Sequence, residues 1–406
     1  MRQLLDNCQV ISCEGDGRAV ALQDAAVLVN GATIEAVGRM DEMEPYRQQL
    51  EPNQIRNMGG RWLMPGLMDM HVHLSLALPG NGALMAQVEN DMQLTMRAYR
   101  NALDALEAGV TFLRTVGDHR FVDLQIKQSI NKGLLKGPRL FCAGHMVITT
   151  GGHGHGRGAR ETDGPEGFRQ AVREQLRAGA DLIKLAITGG IAGEHESISD
   201  SQATFAEMEA AAHAAHNAGK RITAHAGTAQ AITQGIQAGL DCVEHGYFLD
   251  GWTVDLMAKH NTFLVPTLSV SRAPDYMRER GCPEWMISKA LKAGEGHMKS
   301  YQLAVSAGLP IAMGTDMLPA ENYDGTLAVY REMEWMVEGG MSNHNVLLSA
   351  TKQAAELCSV QDKLGSVTPG KFADLIAMPG NPLENMRHLR GLDFVMKDGQ
   401  VIRNFN

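Results

Sequence analysis

The sequence predicts an α/β protein: a TIM-like (β/α)8 barrel over residues 64–363, with a small β-sandwich formed by both chain ends, residues 1–63 and 364–406. Three observations carry that expectation. A helix–turn–strand unit recurs through the middle of the chain. Polar residues collect where those strands end. Both termini read as short strands separated by turns.

The recurring unit is a helical pattern closed by Ala-Gly and followed by an apolar strand. It occurs as "LEAGVTFLRTVGD" at Gly109, "LRAGADLIKLAITGG" at Gly179, "HNAGKRITAHAG" at Gly219, "IQAGLDCVEHG" at Gly239 and "VSAGLPIAMGTD" at Gly308. A variant, "LMAKHNTFLVPTL", has Asn261 at the glycine position. Gly, and next Asn, suit the left-handed residue just past a helix end. Thr204 and Glu207 form a capping box before the helix that ends at Gly219. Such alternation implies parallel strands with crossover helices. An open sheet would place its site at one switch point. Here Asp118, Lys184, His225, His245 and Asp316 lie near the ends of five strands, which favours a closed barrel. At the chain ends, Asn30-Gly31 and Asp398-Gly399 are hairpin-turn signals.

Composition narrows the function. The chain has 406 residues, 44% hydrophobic and 20% charged, with a formal net charge of −9. No basic stripe is present, so neither nucleic acid nor an anionic membrane is an expected partner. No run of 18 apolar residues predicts a transmembrane helix. The six cysteines form no C-x-x-C pair, which points away from disulfides and thiolate metal sites. The N-terminus lacks a basic start followed by an apolar stretch. A cytoplasmic homo-oligomer acting on a small-molecule substrate is expected.

The chemistry gathers on strands. In "MPGLMDMHVHL", His71 and His73 are two residues apart and share a strand face, a compact donor pair for zinc. Two hydrogen-bonded core histidines would give the same pattern. His225 and His245 each stand six residues after an Ala-Gly glycine. Either alone reads more simply as structural; recurrence on successive units argues otherwise. Asp316 closes "LPIAMGTD", where it is a metal ligand, a proton shuttle or the cap of the next helix. Lys184 sits mid-strand in "ADLIKLAITGG" with no acidic neighbour within two positions. Alternation turns it to the barrel interior, and a buried ammonium without a partner tends to neutralise. A neutral amine can take up carbon dioxide as a carbamate, an anion whose two oxygens can bridge two cations.

Together these residues resemble the binuclear metal-dependent amidohydrolase superfamily. "ITGG" after Lys184, "AHA" around His225, "EHG" around His245, "GTD" at Asp316 and the C-terminal "LGSVTPGKFADLIAM" sharpen the likeness, which spans residues 25 to 401. It is closest to the imidazolonepropionase-related dipeptidase branch, with prolidase-like, Xaa-Arg/Lys carboxypeptidase-like and ochratoxin-type amidases. The resemblance implies two Zn2+ ions. His71, His73 and Asp316 would hold one, and His225 and His245 the other. Lys184, as N6-carboxylysine, would bridge them. It further implies hydrolysis of an amide bond in a dipeptide or N-acyl amino acid by a metal-bridging hydroxide, with Asp316 as proton shuttle. "TTGGHGHGRG" resembles a family loop, which makes His153 a catalytic or substrate-contact residue. Relatives often carry an acidic residue where this chain has His155. Arg157 is a candidate for a substrate carboxylate, and His145 and Tyr247 for further contacts. In "GEHES", Glu194 and Glu196 offer charge that would favour a basic side chain, while "SLALPGNGALM" offers apolar contacts. Alternatives are a deaminase or cyclic-amide (imidazolone-type) ring hydrolase on the same barrel, for which Lys184 has little use, and a non-catalytic scaffold.

Overall fold

Alternating apolar residues near both termini need a common partner surface, and they find it in each other. The structure, a computed structural model, describes residues 2–14, 19–76 and 89–405. Of the stretch 75–85, expected to offer apolar substrate contacts, residues 77–85 lie outside the described residues, which end before them at Leu76 and resume at Glu89. The chain divides into two compact units, Met1–Asp69 with Asp104–Phe112 and Met333–Asn406, and Met70–Leu103 with Leu113–Glu332.

In the first unit, β1 (Arg2–Ile11), β2 (Ala21–Asn30), β3 (Thr33–Arg39), β4 (Ile55–Asn57) and β5 (Trp62–Pro65) come from the N-terminal region. The last three strands of the chain, Leu375–Met378, Phe394–Lys397 and Gln400–Arg403, join them in one eight-stranded sheet. The join is made by β5, parallel to β1 through Gln9↔Trp62 and antiparallel to the C-terminal region through Ile376↔Met64. The chain ends therefore share a continuous hydrogen-bonded sheet rather than meeting through side chains alone. Val10, Val27, Val29, Leu63, Leu375 and Phe394 are fully buried in a common core. Asp398 and Gly399 have φ of 51° and 69°, the paired left-handed geometry of a type I′ hairpin.

The second unit carries the recurring units from Gly179 onward. Parallel pairing links β11 (Ile183–Ala186), β12 (Ile222–Thr228), β13 (Cys242–Phe248) and β14 (Phe263–Val265), with Lys184 opposite Thr223 and His225 opposite Glu244. These strands are buried over nearly their whole length, as parallel strands covered on both faces must be. Backbone hydrogen bonds continue past β14: Leu264 N donates to Pro310 O at 3.0 Å and Met70 N to Met313 O at 2.9 Å. Val116 N then donates to Val72 O (3.1 Å), Ala143 N to Thr115 O (3.0 Å) and Asp181 N to Cys142 O (2.7 Å), returning to β11.

Helix ends follow the expected chemistry. Gly109, Gly179, Gly219, Gly239 and Gly308 all have φ between 68° and 110°, and Asn261 has 53°. Thr204 and Glu207 cap each other's backbone N–H. All six cysteines are buried and free. Among the described residues no helix is long and apolar enough to cross a membrane.

Candidate metal centre and active site

Four imidazoles and a carboxylate meet at the carboxyl ends of these strands. His71 lies in β6 (Leu67–Val72) and His73 just beyond it, their ring centroids 5.3 Å apart. His245 lies 5.0 Å from His71 and 4.6 Å from His225. Asp316 Oδ1 stands 3.4 Å from Nε2 of both His71 and His73. His71, His245 and Asp316 offer ligand atoms within 4.8 Å of one another. His245 and Asp316 have φ of 68° and 52°, unusual for residues with a Cβ. At His245 that turn breaks strand alternation, so neighbouring Glu244 and His245 both serve one site.

Each imidazole has one nitrogen engaged, which assigns its tautomer. His71 Nδ1 meets Glu244 Oε2 at 2.8 Å, and His73 Nδ1 meets Gly117 O at 2.5 Å. Both acceptors lack a proton, so both Nδ1 atoms donate, and Nε2 of each ring is turned to Asp316. The Thr267 hydroxyl gives its only proton to Pro266 O at 2.7 Å, so it accepts from His245 Nδ1 at 2.6 Å. His225 is reversed: Nε2 donates to Gly189 O at 3.0 Å and leaves Nδ1 as the donor to a metal. Such outer contacts fix ring orientation at metal sites.

Electrostatics agree with that assignment. Burial pushes His71 down to about 4 and holds His225 and His245 well below the usual imidazole range, whereas at His73 the neighbouring Asp316 outweighs burial and raises the imidazole above it. Neutral imidazole is the ligating form. Burial opposes ionisation of Asp316, but His71, His73 and Lys184 hold its carboxyl well below the usual carboxylate range. Lys184 is 1% exposed and projects into the same cavity. Burial brings its amine down to about 8, against the pull of Glu244 and Asp316.

Beneath the imidazoles lies a buried ionic brace. Arg114 Nη2 donates to Glu244 Oε1 at 2.6 Å and Nε to Met70 O at 2.5 Å, and the Thr223 hydroxyl also donates to Glu244. Glu244 thus joins Arg114 to His71. Neither Arg114 nor Glu244 was singled out in the sequence. Arg114 carried the signal that exposed Lys184, a charge inside an apolar strand. Glu244 was hidden because alternation assigns it the face opposite His245.

A cavity of about 200 Å³ opens over this centre and includes His153, Arg157 and Tyr247 in its lining. His153 Nδ1 donates to Glu196 Oε1 at 2.6 Å, its backbone N–H to Gln202 at 2.9 Å, and its ring stacks on His225 at 4.1 Å. Gly190 makes room for that ring, because a Cβ there would sit 2.3–2.9 Å from it. Arg157 donates to Ala192 O. Tyr247 stacks on His245 at 5.2 Å. His145 does not join this group: it stacks on Phe121 at 4.0 Å and does not line the cavity. Glu196 accepts from His153 with one oxygen and from Gln202 with the other, and it does not line the cavity.

Comparison with known proteins follows the same lines. A family model described as "Amidohydrolase family" matches residues 62–402. An ochratoxinase from Aspergillus niger is 27% identical over 423 residues, covering 96% of this chain and 84% of that protein. A crystal structure of a Xaa-Pro dipeptidase with bound methionine superposes with a TM-score of 0.86 at 30% identity, covering both chains fully. A prolidase complexed with N-methylphosphonate-L-proline gives a TM-score of 0.87 at 28% identity, again over both whole chains.

Proposed function

The chain belongs to the amidohydrolase family, and on that premise we propose that it is a zinc-dependent hydrolase of the amide bond in a dipeptide or N-acyl amino acid. It is a hydrolytic enzyme acting on C–N bonds. The observation that carries the finer reading is the set of four imidazoles, each oriented by a hydrogen bond from one ring nitrogen, gathered with Asp316 and a buried lysine. We read the hydrogen-bonded succession of strands as a (β/α)8 barrel of residues 64–363, with 1–63 and 364–406 as the smaller domain.

The donor set fits two divalent cations. In this reading His71, His73 and Asp316 would hold one, His225 and His245 would hold the other, and Lys184, once carboxylated, would supply a ligand to both. Zinc held there would polarise the scissile carbonyl and lower the pKa of water from 15.7 to about 7. Burial of the Lys184 amine favours its neutral form, which is the form able to take up carbon dioxide. Asp316 takes the proton of the attacking water and returns it to the leaving nitrogen. His153, held by Glu196 through Nδ1–H, is read as the contact to the carbonyl oxygen, a role that needs a proton on Nε2 as well as on Nδ1.

The test is a library of dipeptides and N-acyl amino acids, run with zinc counted per chain. Two zinc ions and release of free amino acid are expected. One ion, with ammonia released or a cyclic amide opened in preference, overturns the reading.

A further inference from the structure

The cavity has two unlike walls, and they meet. Ile191, Tyr247, Val270, Met277, Cys282 and Met286 line it and also pack into a common apolar cluster. That makes the wall continuous rather than a scatter of apolar atoms. It is also adaptable. Met146 and Met317 line the cavity beside Met277 and Met286, and thioether chains reshape around apolar groups at little cost.

Charge on the lining is one-sided. Outside the histidines, Lys184 and Asp316, the charged side chain among the described lining residues is Arg157. It is mostly withdrawn from solvent and tethered to Ala192 O, the carbonyl directly after Ile191. The cation therefore stands one residue from the apolar wall. Glu196, the nearby carboxylate, is committed to His153 and Gln202. A substrate ammonium entering here meets no uncommitted carboxylate on the described lining, whereas a substrate carboxylate meets a guanidinium suited to paired hydrogen bonds.

From this geometry we propose a substrate class: an N-acyl amino acid or dipeptide whose carboxyl-terminal residue places its free carboxylate at Arg157 and a bulky apolar side chain against the Ile191–Val270–Met286 wall. Both recognition elements sit on one α-carbon of the substrate, as the closeness of Arg157 to Ile191 requires. The inference rests on the amide-hydrolase reading above. Because the wall is methionine-rich, it selects for apolarity more than for shape.

The experiment compares kcat/KM for N-acetyl-L-phenylalanine, -leucine, -methionine, -lysine and -glutamate, and for N-acetyl-L-phenylalaninamide, on the zinc-loaded enzyme. The three apolar acids are expected within about tenfold of one another. The lysine and glutamate derivatives should fall about a hundredfold lower, since each strands a charge on an apolar wall. The carboxamide should lose about tenfold or more through KM. Arg157→Gln should erase the difference between acid and amide. Met286→Asp should turn preference towards the lysine derivative, with Val270→Asp as a second route if the first variant does not fold. Equal rates for lysine and phenylalanine derivatives, or for acid and amide, overturn the proposal and leave amide hydrolysis standing. Failure to cleave any N-acyl amino acid or dipeptide at full zinc occupancy removes the amide-hydrolase reading itself, and this inference with it.

Discussion

The sheet made by the chain ends and the strands of the catalytic unit obey the same alternation but fill their inner positions differently. In the sheet, inner positions are Val27, Val29, Leu375 and Phe394, and nothing polar is asked of them. In the catalytic unit the inner positions include Lys184, Thr223, His225 and Glu244, all at most 4% exposed. The first core is stable because apolar area leaves water. The second carries groups that are costly to bury, and partners hold most of them: Glu244 meets Arg114, Thr223 and His71, His225 meets Gly189, and His245 meets Thr267. One interior holds the protein together, while the other holds reactive groups in place.

That contrast can be broken at several points. The largest effect is expected from Asp316→Asn, which keeps the shape and removes the proton carrier. Turnover should fall by about 10²–10⁴ while the protein stays folded, measured by steady-state kinetics beside a thermal melt. Undiminished turnover would remove Asp316 from the chemistry. Lys184→Ala should lose turnover by about a hundredfold or more and bind less zinc. A short carboxylic acid such as acetate should restore part of both by replacing the carbamate oxygens. Full activity without the added acid would show that no bridging carboxylate is needed.

In the sheet the signature reverses. Phe394→Ala removes a large, fully buried side chain and should cost about 3–5 kcal/mol of stability in denaturant titration, with zinc content and turnover per folded molecule unchanged. A matching loss of zinc would mean that the two interiors are not separable. Glu244→Gln is the finest probe. It preserves volume but leaves Arg114 without its anion and weakens the hold on His71 Nδ1–H. Zinc affinity should fall about 10–100-fold, read by competition with a chelator, and stability should fall as well because a buried charge loses its partner. Unaltered zinc affinity would reduce the brace to a packing element.

The contrast also explains what could be read without coordinates. Repetition was legible: the Ala-Gly turns marked helix ends because a left-handed cap selects glycine or asparagine by sterics alone, and the structure has positive φ at each of them. Lys184, His71, His73, His225 and Asp316 stood out because polar groups are rare inside apolar strands, and the structure gathers them around one cavity with His245. His145 shows the limit, since position beside a glycine-rich loop could not reveal that its ring stacks on Phe121.

Sequence by itself determined the order of elements, the turn chemistry and the identity of the groups facing the interior, because these depend on local periodicity and on the cost of burying charge. Tertiary structure alone decided which nitrogen of each imidazole is held by an outer partner, since that depends on residues as distant in the chain as Glu244 is from His71. It also decided that Glu196 holds the ring of His153. The continuous sheet of the two termini, joined through β5, was likewise settled only by folding, because strand partners far apart in the chain are chosen by the surfaces they bury together.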